Sequence, residues 1–344
     1  MNEVTERQRR ASIKEIARAT GYSRATVDRA LNGRGRVHPS TRQQIHAACA
    51  RLDGTGAAAQ CASAPVDMVM QAGRGFADEV LRIVDEDGLP VAPNDLYQQG
   101  EAAVHAALAA ACADTARPLL AIVKNDAATV KILSAARQRG KRVVAMVSDL
   151  DPAARDAFVG IDDRAAGQTA AFLIGSLLRD RDARVGVVVG SASFRCHEDR
   201  EIGFRTQLRS QAPRLVLSDV VKGDDSPEKT RQAVRALLDA EPDMAAIYNV
   251  AGGNVGLAQA LREAGRAGDI FVVAHETNRN TVPLAEQGVL HFLLGQDTAL
   301  MLARALALST APALIAAETI SHVPCAIFTR FNVKTAATEG QGDD

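Results

Sequence analysis

The 344-residue sequence predicts a small all-α head followed by a larger α/β domain with parallel sheets. Within residues 12–52, apolar side chains recur at helical spacing in three short stretches. After Pro65, short apolar runs alternate with helical stretches of about 10–15 residues, a pattern typical of parallel sheets covered on both faces. The expected divisions are a head at 11–53, a hinge or linker at 54–65, a main domain at 66–335 and a disordered tail at 336–344.

The head is expected to contain three short helices. Gly21 follows the first helix and suits the left-handed backbone of a tight turn. Ser23 is then placed as the N-cap of a second helix, which runs from Arg24 to Leu31. A third helix is expected to begin near Pro39, because proline is favoured in a first helical turn.

The spacing of Ala17, Gly21 and Val27 is that of a helix-turn-helix. Two helices that cross closely need a small residue at the crossing and a glycine four positions later in the turn. A β-branched apolar residue six positions further on then locks the second helix in place. A small helical bundle with no role at DNA is the alternative.

Charge is distributed unevenly along the chain. Residues 1–52 hold eleven Lys or Arg and four Asp or Glu, so this segment carries +7, whereas the remainder carries −8. A basic head on an acidic domain is the electrostatic pattern of a nucleic-acid-binding module joined to a domain with another role. The alternative is a solvated basic tail.

Absent patterns disfavour several classes of protein. No apolar run approaches the roughly 20 residues that span a bilayer, and the N-terminus lacks the apolar core of a signal peptide. The five scattered cysteines form no metal-binding spacing. The sequence also lacks the GxSxG, P-loop and HExxH motifs. We therefore expect a cytoplasmic protein that is not an enzyme and that uses no metal or cofactor.

The stretch SIKEIARATGYSRATVDRALNGRGRVHPSTRQQI resembles the head of the LacI/GalR family of transcription regulators. The resemblance implies that the second helix lies in the major groove of a double-stranded DNA operator. Arg29 would contact bases, while two further positions would vary with the operator sequence and several hydroxyls and amides would touch phosphates. The implied DNA-binding residues are Ser23, Arg24, Ala25, Thr26, Asp28, Arg29, Asn32 and Thr41.

Three features depart from the family pattern. His38 replaces the serine that caps the third helix, which should weaken that cap. Asp28 replaces a serine, and an acid facing DNA is costly unless it accepts from a cytosine amino group or pairs with Arg24 or Arg29. The segment GTGAAAQCASAP has no leucine that could wedge into the minor groove, and its composition is that of a flexible linker.

The rest of the chain resembles the type I periplasmic sugar-binding fold, which is the effector domain of the same family. The resemblance is carried by VGIDDRAAGQTAAFLIGSLL, HEDREIGFRTQL, AAIYNVAGGNVGLAQAL, FVVAHETN, FLLGQDTALMLARAL and IFTRFNV, which occur in the family's order. It implies two lobes joined by three crossovers, with a small sugar or polyol bound between them. The ligand-binding candidates that match by position are Asp149, Arg200, Asn249, Glu276 and Gln296.

The chemistry of these candidates suits a sugar, because planar carboxylate, guanidinium and amide groups can each bind adjacent hydroxyls. Structural roles are the alternative for three of them. Asp149 could cap a turn, Arg200 could pair with Glu198 or Glu201 on its helix surface, and Asn249 could cap the next helix.

The expected function is that of a sugar-responsive repressor. Two chains would form a homodimer that places two heads on a near-palindromic operator, and the ligand would change the affinity for DNA. The alternative is a DNA-binding protein of the same type whose main domain only dimerises and senses no ligand.

Overall fold

A computed structural model of the chain describes residues 12–20, 22–31, 41, 45, 65–178, 180–191, 193–311 and 319–333. The chain divides into two compact units, Met1–Ala64 and Pro65–Asp344, which we call the head and the body. Apart from Pro65, the expected hinge and the expected tail lie outside the described residues, as does most of the expected third helix.

The head contains helices α1 (Ile13–Thr20) and α2 (Arg24–Leu31). The bounds expected for the second helix are confirmed. Ser23 Oγ accepts a hydrogen bond from the backbone N–H of Thr26 at 3.2 Å, which satisfies one of the free amides of the first turn. A small apolar core holds the helices together, and its buried members are Ile16, Val27, Ala30 and Ile45.

The body is built on short strands. In chain order they are β1 (Val66–Met70), β2 (Val91–Asp95), β3 (Leu119–Ile122), β4 (Val143–Met146), β5 (Ala157–Gly160), β6 (Ala183–Val189), β7 (Leu215–Leu217), β8 (Val221–Lys222), β9 (Met244–Asn249), β10 (Phe271–His275), β11 (Phe292–Gln296), β12 (Thr319–His322) and β13 (Cys325–Phe328). Central strands such as β3 and β4 are buried at every position, as expected for parallel sheets covered on both faces.

Helices lie between these strands. They are α3 (Arg74–Glu86), α4 (Glu101–Ala111), α5 (Ala127–Gln138), α6 (Asp163–Leu178), α7 (Arg195–Gln211), α8 (Pro227–Ala240), α9 (Asn254–Glu263), α10 (Val282–Glu286) and α11 (Thr298–Thr310). Local sequence sets several of their starts. Asp126, Ser226 and Asp297 each accept a hydrogen bond from the backbone N–H three residues further on.

The strands form two sheets and divide the body into two lobes. The first lobe has the strand order β12-β5-β4-β3-β1-β2, and the second has β13-β11-β10-β9-β6-β7 with β8 beside β6. All pairs are parallel except β11 with β13. The chain crosses between the sheets after β5, after β11 and after β12. This arrangement confirms the expected two-lobed α/β fold with three crossovers.

Candidate functional site

A cleft lies between the two lobes at the carboxyl ends of the parallel strands, where open α/β sheets bind their ligands. Its interior has a volume of about 50 Å³, and the space reaches about 400 Å³ when the open solvent at its mouth is counted. The turn after β1 and the loop after β2 line it from the first lobe. The segments after β8, β9 and β10 line it from the second lobe.

Backbone strain is concentrated around these carboxyl ends. The described non-glycine residues with positive φ all follow strands, and they are Gln98 (58°), Val147 (66°), Asp224 (48°), Asp225 (55°) and Glu276 (72°). Positive φ is most costly for a β-branched residue such as Val147. Strain of this kind persists only where the surrounding structure enforces it, and it is common at ligand-binding sites.

The lobes meet closely at the turn Gly73–Gly75. A Cβ atom on Gly75 would lie 2.6 Å from Nδ2 of Asn278 in the second lobe, and one on Gly73 would lie 3.9 Å from Cα of Gly252. Glycine is therefore needed at position 75 for the first lobe to approach Asn278 this closely.

Ion pairs lie at the mouth of the cleft, and one of them connects the two lobes. Arg74 donates from Nε to Asp78 at 2.7 Å and from Nη1 to Asp95 at 3.0 Å. Arg279 of the second lobe also pairs with Asp78. The side chain of Arg74 is 40% exposed and that of Arg279 is 69% exposed, so water screens these pairs and each adds at most about 1 kcal/mol.

Glu276 lies at the centre of the cleft, directly after β10. Its Oε2 accepts a hydrogen bond from Nδ2 of Asn278 at 2.9 Å. Burial raises the pKa of Glu276 to about 7, against the opposing effect of Arg200 and with a further raising effect from Asp225. Near neutral pH this carboxyl group is therefore poised between donating and accepting a hydrogen bond.

The raised pKa of Glu276 gives a pH dependence of stability. The folded body holds this proton more tightly than the unfolded chain, so the contribution to stability is present at low pH and is lost as pH rises through about 7. We expect Glu276→Gln to remove about 1–2 kcal/mol of the decrease in unfolding free energy between pH 5.5 and pH 8. Urea denaturation at both pH values measures this, and parallel pH profiles for the two proteins would contradict it.

Gln296, at the end of β11, lines the inner part of the cleft together with Glu276 and Asn278. Its Oε1 is buried and has no hydrogen-bond partner among the described residues. The structure thus brings two of the five ligand-binding candidates, Glu276 and Gln296, into one cavity.

Arg200 is buried outside the lining of the cleft. Its Nε donates to Oδ1 of Asp163 at 2.7 Å, and its Nη1 donates to the carbonyl oxygen of Val250 at 2.9 Å. It therefore ties α7 to α6 and to the end of β9, and does not pair with Glu198 or Glu201. Burial raises the pKa of Asp163, and the charge of Arg200 opposes this effect. A role for Arg200 at the ligand stays a prediction.

Asn249 and Asp149 also make contacts within the protein and do not line the cleft. Asn249 is fully buried, and its Nδ2 donates to Oδ1 of Asn254 at 2.8 Å and to the carbonyl oxygen of Gly252 at 3.0 Å. Asp149 accepts from the backbone N–H of its neighbour at 2.8 Å and pairs with Arg155. Their ligand-binding roles likewise stay predictions.

Sequence reasoning missed most residues of the lining, among them Arg74, Tyr97, Asp225 and Asn278. Asp225 accepts from the backbone N–H of Gly252 at 2.7 Å and so connects the segments after β8 and β9. The run Gly-Asp-Asp-Ser-Pro before α8 was a turn signal in the sequence. No signal indicated that this turn faces the cleft.

Two buried histidines lie behind the cleft. Nε2 of His275 shares a hydrogen bond of 2.7 Å with the hydroxyl of Tyr248. Nδ1 of His197 lies 3.2 Å from the carbonyl oxygen of Ser191. Burial lowers the pKa of both histidines, so both are expected to be uncharged at neutral pH.

The described DNA-binding candidates lie on or beside α2. Ser23, Arg24 and Arg29 are exposed, and Thr26, Asp28 and Thr41 are partly buried. Asn32 and the side chain of Ala25 lie outside the described residues. The DNA contacts of the whole set stay predictions.

Neither a metal centre nor a membrane span is found in the described part of the chain. It contains no group of three or more His, Cys, Asp or Glu side chains placed to hold a metal ion. Among the described helices, none combines the length and the apolar character that crossing a bilayer requires.

Two protein-family models match the chain. The model for bacterial regulatory proteins of the lacI family matches residues 12–53, and the model for the periplasmic binding protein domain matches residues 92–316. A curated relative, the D-ribose/D-allose-binding protein of Pseudomonas aeruginosa, is 26% identical over 207 residues. The match covers 58% of this chain and 63% of the relative, which is less than two thirds of the relative's length.

Solved structures share the fold of the body. A solute-binding protein of an ABC transporter from Burkholderia graminis, in complex with D-arabinose, matches with a TM-score of 0.70 and 18% identity over 80% of this chain and 99% of that one. A glucose-galactose-binding protein from Geobacillus stearothermophilus matches with a TM-score of 0.69 and 16% identity over 79% and 99% of the two chains.

Proposed function

The chain belongs to the periplasmic binding protein domain family and carries a head of the lacI family of bacterial regulatory proteins, and on this premise we propose that it is a transcription repressor controlled by a small sugar or polyol. The two matched families are not families of enzymes. The observation that carries the proposal is the presence of both modules in one chain. Such a chain can couple DNA binding to the occupancy of the cleft.

The head supports specific DNA recognition. The exposed Arg24 and Arg29 lie on α2, whose start is fixed by the cap at Ser23. Arginine is the best bidentate reader of guanine, and each such contact contributes roughly 1–3 kcal/mol of discrimination. We propose that α2 enters the major groove and that the hydroxyls of Ser23, Thr26 and Thr41, with the amide of Asn32, bind phosphates.

The cleft supports recognition of a sugar. Carboxylate groups from both lobes and amide groups from the second lobe face it, and such planar groups bind adjacent hydroxyls. The names of the similar proteins also favour a sugar, since the curated relative binds D-ribose and D-allose by name. We propose that Glu276 and Gln296 contact the ligand directly. Asp149, Arg200 and Asn249 would act at the ligand only after rearrangement of the contacts described above.

The proposed mechanism is thermodynamic linkage. The protein would act in the cytoplasm as a homodimer, so that its two heads bind the half-sites of a near-palindromic operator. A ligand that favours one arrangement of the lobes changes operator affinity only if the two arrangements differ in affinity for DNA. Contacts of the basic head with phosphates should also make binding weaken steeply with salt.

Selection of duplexes from a random pool with the full chain, followed by fluorescence anisotropy, tests the proposal. We expect one near-palindromic family of sites to be enriched. Arg29→Ala should reduce the preference for these sites by about 10–100-fold, because it removes a base contact. Monosaccharides that raise the melting temperature of the body should change the affinity of the wild-type chain for the selected site.

Lys14→Ala is the matched control, because Lys14 is exposed on α1 and also carries one positive charge. It should weaken binding to all duplexes alike and leave the preference unchanged. The proposal fails if the wild-type chain enriches no site at low salt, or if Arg29→Ala keeps the full preference.

A further inference from the structure

The charges that line the cleft are predominantly negative. Asp225 faces it, and Glu79 lies beside its inner part. Glu276 also faces it and carries a partial negative charge near neutral pH, because its pKa is raised to about 7. Among the described lining residues, Arg74 is the one with a positive charge. It is already engaged, because Asp78 and Asp95 accept its hydrogen bonds.

A carboxylate of the chain also lies close to the start of α9. The helix begins after Gly253 without a side-chain cap, and such helix starts bind anions. Here Oδ1 of Asp225 accepts from the N–H of Gly252 at 2.7 Å. The chain's own carboxylate thus lies at the amide one residue before the N-cap Gly253, where its negative charge meets the positive end of the α9 dipole.

Asp225 is held in this position from a second side. A Cβ atom on Gly190, at the end of β6, would lie 2.4 Å from Oδ2 of Asp225. The backbone of Asp225 also adopts a φ of 55°. The carboxylate therefore cannot withdraw from the cleft without rearrangement of the segments that follow β6 and β9.

The buried cation Arg200 opposes the effect of burial on Glu276, but Asp163 shares its charge, so it offsets the carboxyl groups of the lining only in part. Two nitrogens of the Arg200 guanidinium donate hydrogen bonds within the protein. Nε donates to Asp163 at 2.7 Å, and Nη1 donates to the carbonyl oxygen of Val250 at 2.9 Å. The remaining polar groups of the lining, such as Asn254, Asn280 and Tyr97, are uncharged. Amides and a phenol bind hydroxyl groups as donors and acceptors, but they do not neutralise a dianion.

We infer that the cleft takes an uncharged polyhydroxylated ligand and rejects phosphorylated or carboxylated sugars, with Asp225 as the residue that excludes anions. This inference rests on the proposed function and specifies its ligand class. Like charges within a few ångströms repel strongly where water is partly excluded. Because a sugar phosphate carries up to two negative charges, we expect at least about a tenfold preference for the uncharged member of a matched pair.

Calorimetric titration and thermal shift of the full chain with matched pairs test the inference. Suitable probes are D-ribose against D-ribose 5-phosphate, D-allose against D-allose 6-phosphate, and D-glucose against D-glucose 6-phosphate and D-glucuronate. We expect the uncharged member of at least one pair to bind, and its phosphate or carboxylate to bind at least about tenfold more weakly.

The variant Asp225→Asn tests whether the charge of Asp225 causes the preference for uncharged ligands. Asparagine tolerates positive φ and keeps an oxygen that can accept from Gly252, so the loop should be preserved. In this variant the preference for the uncharged member should fall by about tenfold. Glu86→Gln is the matched control, because Glu86 is exposed on α3 and pairs with Arg82. It should leave the preference unchanged.

The outcomes separate the inference from the function on which it rests. Equal or tighter binding of an anionic member overturns the inference and leaves the sugar-sensing proposal standing. An unchanged preference in Asp225→Asn overturns the role of Asp225. If no uncharged or charged probe shifts the melting temperature or the affinity for the selected DNA site, the sensing proposal fails, and the inference fails with it.

Discussion

Gly167→Ala is expected to destabilise the body by about 2–3 kcal/mol, because two helix backbones touch at this position. A Cβ atom on Gly167 of α6 would lie 2.0 Å from the carbonyl oxygen of Arg200 in α7. The reverse contact is equally close, since a Cβ atom on Gly203 would lie 2.2 Å from the carbonyl oxygen of Arg164. No side-chain rotation can relieve a clash with backbone, so α6 and α7 would have to move apart.

Gly175→Ala on the same helix is the matched control. Its added Cβ would lie 3.2 Å from Cδ of Gln211, the far end of a flexible side chain. Alanine also favours a helix interior over glycine by about 0.5–1 kcal/mol, so this variant should be neutral or slightly stabilising. Urea denaturation measures both variants, and equal stabilities for Gly167→Ala and Gly175→Ala would contradict the close crossing.

Arg200→Ala is expected to destabilise the body by about 3–5 kcal/mol, because it leaves the buried carboxylate of Asp163 without its partner. Both side chains are less than a tenth exposed, so water cannot compensate for the loss. The variant also removes the hydrogen bond to the carbonyl of Val250, which holds the turn between β9 and α9 at the cleft. Thermal and urea denaturation of the full chain measure the loss.

Arg205→Ala is the control, because Arg205 lies on the same helix but pairs with Glu201 at the surface. Its loss should cost no more than about 0.5 kcal/mol. A double variant, Arg200→Leu with Asp163→Leu, should recover much of the stability, since no unpaired charge then remains buried. If Arg200→Ala and Arg205→Ala are equally mild, the buried ion pair is not the contact that holds α6 to α7.

The apolar runs of the sequence indicated most central strands and also the edge strands β7 and β13. They missed the edge strands β2 and β12, the two-residue strand β8 and the buried central strand β5. Continuous apolar runs such as Leu119–Ile122 can be recognised as strands in the sequence, because both faces of a parallel sheet are buried. Strand β2 has the sequence VAPND, in which proline and polar residues hide a strand that lies at the sheet edge. Strand β12 pairs on one side and lies at the other end of the same sheet.

The candidate site was predicted in part. The resemblance to the family's sequence pattern indicated Glu276 and Gln296 as ligand-binding candidates, and both face the cleft. Arg200 carries the same kind of sequence signal, yet it is buried beside Asp163, 37 residues earlier in the chain. A sequence pattern predicts an arginine after β6, but it does not predict whether that arginine forms an ion pair with a carboxylate of another helix.

The sequence by itself determined the two modules, the bounds of α2 and the parallel α/β character of the body. It could do so because helix caps and apolar periodicity act between residues a few positions apart. Only the tertiary structure decided which charges face the cleft. Asp225 meets Gly252, and Gly75 meets Asn278, across separations of 27 and 203 positions that no local pattern records. Such pairs form only when strand ends from both sheets are brought together, which is also where open α/β sheets bind their ligands.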